Sequence, residues 1–199
     1  MTLMHHETAE DTVRGETGHE LLRFLETLPE LDQLKIELID GKIVMQASAA
    51  PFHNRIVAKL TTQLDEKGWE VLAEQALISD ISSFEPKADL TVTTFEKIAD
   101  NRNPLPADRA ELVVEVVSTD KDSDYIKKRM WYAMSEIPLY LLVDPNDGTM
   151  ELCSDPDPHK LRYRTSDPFS FGDSIELPDP FGFSLDTRQF KIYPPKPPR

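Results

Sequence analysis

Cysteine is nearly absent from this chain: Cys153 stands alone among 199 residues. An internal disulfide is therefore excluded, which fits a reducing cytoplasm. Long apolar runs are missing too. Those present, such as 112–117, fall far short of the roughly 20 residues that a membrane-spanning helix needs. Residues 1–20 carry His, Glu, Asp and Thr without an apolar stretch, so no secretory signal is expected there. Basic charge is also scarce: 22 Lys and Arg face 36 Asp and Glu, for a net charge of −14. Phosphate contacts dominate nucleic-acid affinity, and proteins that rely on them show a basic footprint. The acidic balance thus speaks against tight, non-specific DNA binding by a monomer. It leaves room for a local basic groove, or for a site whose metal ions reverse the field.

What is present suits one folded domain. Hydrophobic residues make up 39% and charged residues 29%, enough for a core. Residues 1–19 read as a disordered polar arm, 20–193 as the domain and 194–199 as a Pro-rich tail. A helix fits 18–28, with Leu21, Leu22, Phe24, Leu25 and Leu28 as its apolar face and Pro29 as its stop. Residues 35–45 read as a β-hairpin turning at Asp40-Gly41. Pro51 opens a second helix, in which Ile56, Val57, Leu60 and Leu64 recur at helical spacing and Gly68 supplies the C-cap. Strands are expected at 69–74, 76–81, 87–94, 111–118 and 138–144, with a helix over 122–134. Antiparallel strands follow at 149–153, 160–165 and 174–177. The order implies an α/β (α+β) fold with a mixed sheet flanked by helices, an N-terminal hairpin and C-terminal antiparallel strands.

Three side chains carry candidate chemistry. Glu115 interrupts the run Leu112-Val113-Val114-Glu115-Val116-Val117, where a lone carboxylate is costly unless paired, hydrogen-bonded or metal-bound. Asp89 alternates with Leu90 in its strand, sharing a face with Thr91 and Thr93. Alone it reads as a solvated strand residue, but beside Glu115 it forms a candidate ligand pair for Mg²⁺. The helix after the Glu115 strand can return a cation to these carboxylates. Spacing does not choose among Lys127, Lys128 and Arg129: Ile126, Met130, Ala133 and Met134 share one helical face, and Lys128 lies nearly opposite.

Three runs together resemble the Uma-two family: Ala110-Glu111-Leu112-Val113-Val114-Glu115-Val116-Val117-Ser118, then Lys128-Arg129-Met130-Trp131-Tyr132-Ala133, then Ile137-Pro138-Leu139-Tyr140-Leu141-Leu142-Val143-Asp144. The hairpin Glu37-Leu38-Ile39-Asp40-Gly41-Lys42-Ile43-Val44 and the helix opening at His53 resemble the same family's N-terminal part. The resemblance spans roughly 34–190. It implies a restriction-endonuclease-like core of the PD-(D/E)XK nuclease superfamily, acting on DNA with Mg²⁺ or Mn²⁺ as a homodimer. Carried over, it makes Asp89 and Glu115 the metal ligands and Lys128, four before Tyr132, the catalytic lysine. The superfamily's Glu-X-Lys would need Lys at Val117, and its usual Pro stands as Ala88 here. Glu37 and His53 match the family's Glu and His. Glu37 is either a third carboxylate for the metal, a group that orients the ligands, or simply a polar hairpin residue. His53 either binds phosphate or assists proton transfer, or is a structural histidine at a helix start. The rival reading is a catalytically idle nuclease fold used for binding or regulation, which the −14 charge favours. A two-carboxylate glycosidase finds no aromatic sugar platform around Asp89 or Glu115.

Overall fold

The computed structural model describes residues 9–47, 49–81, 83–117 and 123–194. Helix α1 (Ala9–Glu26) begins well before the expected residue 18, so part of the supposed polar arm is helical. Residues 1–8, and 195–199 of the expected tail, lie outside the described residues. Both polar and apolar contacts anchor α1. His19 and Arg23 pair with buried Glu85, and Glu26 with Lys87. Leu22 packs with Ile36 and Leu38, whereas Leu21 and Phe24 of the expected apolar face stay exposed. Gly18 permits this docking, because a Cβ there would stand 2.8 Å from Leu38 Cδ1.

The hairpin β1 (Lys35–Ile39) and β2 (Lys42–Gln46) turns at Asp40-Gly41, both at positive φ. This is the backbone that tight hairpin turns demand. Helix α2 (Pro51–Asp65) follows, starting on its proline. The expected strands 69–74 and 76–81 are one strand, β3 (Glu70–Ile78), in which Glu74 takes a positive φ of 50°. Next come β4 (Lys87–Thr93), the short helix α3 (Phe95–Ile98), β5 (Leu105–Pro106) and β6 (Leu112–Val116). Beyond β6, a π-helical segment (Ser123–Lys128) runs into α4 (Arg129–Met134), which leads to β7 (Leu139–Asp144). Strands β8 (Thr149–Asp157) and β9 (Arg162–Ser170) extend well past their expected ends. Strand β10 (Ser174–Glu176) pairs with β11 (Ser184–Asp186), which sequence reading missed.

Seven strands form one mixed sheet in the order β5-β3-β4-β6-β7-β8-β9. The β6–β7 and β3–β5 pairs are parallel and the others antiparallel. One face carries Leu90, Val92, Val114 and Leu141 against Ile56, Leu60 and Leu64 of α2, joined by Ile175 and Leu185. The other carries Val113, Val117, Tyr140 and Leu142 against Trp131, Tyr132 and Ala133 of α4. Parallel β6 and β7 need a crossover between them, and the π-to-α segment is that crossover. Cys153 lies inside this second core, where burial pushes its thiol up to about 12 and leaves it inert. No helix among the described residues is long and apolar enough to cross a membrane.

Candidate active site

Strand pairing places the two central carboxylates on neighbouring strands. The rungs Leu90↔Val114, Thr91↔Val113 and Val92↔Leu112 join β4 to antiparallel β6. Asp89 and Glu115 each lie one step beyond the last rung, on adjacent strands. Main-chain pairing stops there, and the Asp89 side chain takes over: the Val116 N–H donates to Asp89 Oδ2 at 2.8 Å. Glu37 arrives from the hairpin because β1 bonds alongside the entry to β4, through Leu38 and Glu85. The Lys87 N–H then donates to Glu37 Oε1 at 2.7 Å.

Lys128 closes the group from the opposite side. Its ammonium bridges Glu37 Oε1 at 2.9 Å and Glu115 Oε1 at 3.1 Å, and the Tyr132 hydroxyl donates to the same Glu115 oxygen. Tyr132 reaches it because residues four apart share a helix face. Lys128 is 1% exposed and Ile126 62%, so the expected packing role of Ile126 is overturned. The cause is the π-helical start of the segment: bonds from i to i+5 widen the turn and rotate Ile126 outward relative to an α-helical wheel. Lys127 lies at the surface, 3.2 Å from Asp40 Oδ2.

Two further groups hold Asp89. Lys35 donates to Oδ1 at 2.8 Å, and His53 Nε2 lies 3.0 Å from Oδ2. His53 comes from the first turn of α2, so it reaches Asp89 from the other layer. Lys35 escaped the sequence reading, although its two-residue spacing from Glu37 on β1 puts both on one strand face. Tyr132 was noticed only as a marker for Lys128. Tyr193 was missed as well: its N–H donates to Pro145 O at 2.7 Å and its hydroxyl to Val117 O at 3.4 Å, at the end of the sheet beside Asp89. Burial, and then the charges of Asp89 and Asp144, push the Tyr193 phenol up to about 12.

Three carboxylates and two ammonium groups thus occupy one poorly hydrated volume. Burial alone would raise the Asp89 pKa, but Lys35 and His53 hold its carboxyl well below the usual range. Glu37 behaves likewise, with burial opposed and outweighed by Lys128 and Lys35. The His53 pKa is raised, since its bond to Asp89 outweighs burial. All three shifts favour charged partners. One oxygen, Glu37 Oε2, is buried without a hydrogen-bond partner. Among the described residues, no three His, Cys, Asp or Glu side chains stand together as a ready-made metal cage. In chemistry the donors suit a hard divalent cation, which takes carboxylate oxygens such as those of Asp89 and Glu115, and Glu37 Oε2 is left without a hydrogen-bond partner.

A sequence profile described as "Putative restriction endonuclease" matches residues 22–188. The fold is shared with a solved structure described as a putative nuclease belonging to DUF820 from Anabaena variabilis ATCC 29413. The TM-score is 0.65 at 16% identity, covering 85% of this chain and 96% of that one. No curated protein matches the chain.

Proposed function

The chain belongs to the Uma2 family, and from that premise we propose that it is a divalent-metal-dependent endonuclease that hydrolyses DNA phosphodiester bonds. The observation that supports this reading best is Lys128, a buried ammonium held by two carboxylates from separate elements, beside a third carboxylate on the adjacent strand. Asp89 and Glu115 hold Mg²⁺ or Mn²⁺. A bound cation of this kind acts as a Lewis acid and lowers the pKa of a coordinated water. Lys128 stabilises the negative charge that develops on the phosphate, where a preorganised cation in a dry site is most effective. Glu37 and Tyr132 position Lys128 and Glu115, and His53 positions Asp89. A homodimer in the reducing cytoplasm would present two such centres to the two strands of a duplex.

A second reading is a catalytically idle nuclease fold used in binding or regulation. The net charge of −14 favours it. So does the engagement of basic side chains by acidic neighbours of the same chain, among them Arg109 with Asp100, Arg129 with Glu151 and Arg188 with Asp186. Metal titration separates the two. Calorimetry with Mn²⁺ is expected to show binding to the wild type that Asp89→Ala removes. Equal heats from both proteins would place any bound ion elsewhere and favour the idle fold.

A further inference from the structure

The proposed reaction gives Lys35 no part, yet its ammonium stands where a cation would have to bind. Nζ lies 2.8 Å from Asp89 Oδ1, and the side chain is 10% exposed. Oδ2 is meanwhile engaged by His53 Nε2 at 3.0 Å and by the Val116 N–H at 2.8 Å. Both Asp89 oxygens therefore already have partners from within the chain. These partners differ in how easily they leave. The Val116 N–H is fixed in a central strand, and the His53 ring is set by α2. Lys35 sits on a four-carbon stem in a hairpin strand, and its ammonium can swing away without disturbing the backbone.

We propose that Lys35 is a resident counter-ion that holds Asp89 Oδ1 in the metal-free protein and must be displaced when a divalent cation binds, so that it limits the metal affinity of the site. The inference rests on the metal-binding reading above. An ammonium and a dication held against one carboxylate oxygen compete for it, because like charges at such distances repel strongly in poorly hydrated surroundings. The three carboxylates Glu37, Asp89 and Glu115 attract Lys35 together, while Lys128 opposes it. Any ion entering the group thus competes with a cation the group already holds. Linkage then makes the affinity for the ion lower than that of the same carboxylates without Lys35.

The test is Mn²⁺ binding by the full chain, read as the paramagnetic signal of free ion, for wild type, Lys35→Met and Lys35→Gln. Methionine keeps the apolar stem without the charge. Glutamine also keeps a donor toward Asp89 and serves if the first variant folds poorly. Either variant is expected to bind Mn²⁺ at least about tenfold more tightly than wild type. Its melting temperature should also rise more on adding Mn²⁺. A purely structural role for Lys35 would not tighten metal binding. Should the wild type bind Mn²⁺ through Asp89 and the folded variants bind it no more tightly, the displacement of Lys35 is refuted and the metal site stands. If none of the proteins binds Mn²⁺ through Asp89, both readings fall together.

Discussion

Lys128→Ala is expected to lower folding stability by about 3–5 kcal/mol, because removing one member of a buried ion group strands the others without their counter-charge. Glu37 and Glu115 are 0% and 2% exposed, and Lys128 is the cation that touches both. Tyr132 remains as a donor to Glu115, but a phenol carries no charge to offset two buried carboxylates. Lys127→Ala provides the contrast. Its partner Asp40 is a surface group, so a change within about 0.5 kcal/mol is expected. Urea unfolding of the two variants measures both values. A larger loss from Lys127→Ala would mean that Lys127, and not Lys128, is the cation that offsets Glu37 and Glu115.

Trp131→Ala is expected to destabilise by about 3–5 kcal/mol, the range for deleting a buried aromatic side chain. Trp131 is fully buried between the sheet and α4, 6.3 Å from the Phe84 ring and 5.6 Å from that of Tyr132. It is the wedge that seats the helix carrying Lys128 and Tyr132 over Glu115. Trp131→Phe should cost much less. It keeps a ring in place and removes an indole N–H that is buried without a partner among the described residues. Thermal melts of the two variants provide the comparison. Equal losses would show that indole volume, rather than any aromatic filler, seats α4.

The central strands β4, β6 and β7 were legible in the sequence because their signals are local, whereas β3 was read as two strands and β11 was missed. Alternation around Asp89 and the β-branched run around Glu115 marked β4 and β6, which pair with one another. The Asp40-Gly41 turn was legible for the same reason. Lys128 was not legible from physics alone. An α-helical wheel put it opposite the packing face, and only the family resemblance selected it over Lys127. The π-helical turn that buries it follows from how the crossover closes over the sheet, which no local pattern encodes. Helix α1 was read too short because residues 9–17 carry no apolar periodicity, the signal from which the helix was read. Lys35 was overlooked because a strand lysine normally signals solvent. Its burial depends on three carboxylates contributed by three separate strands.

The acidic balance also looks different in the fold. Lys97, Arg109, Lys127, Arg164 and Arg188 are in pairs at or near the surface, while Lys35 and Lys128 lie inside the candidate site. Net charge therefore says little about the field at Asp89, which is set by these two ammonium groups and by any ion bound there.

Cleavage of supercoiled plasmid DNA in Mg²⁺ or Mn²⁺ tests the nuclease reading most directly, with chelator, Asp89→Ala and Lys128→Ala as controls. Nicked and linear products are expected from the wild type only when metal is present, and from neither variant. Intact plasmid with a wild type that binds Mn²⁺, or cleavage that survives Asp89→Ala, would contradict it.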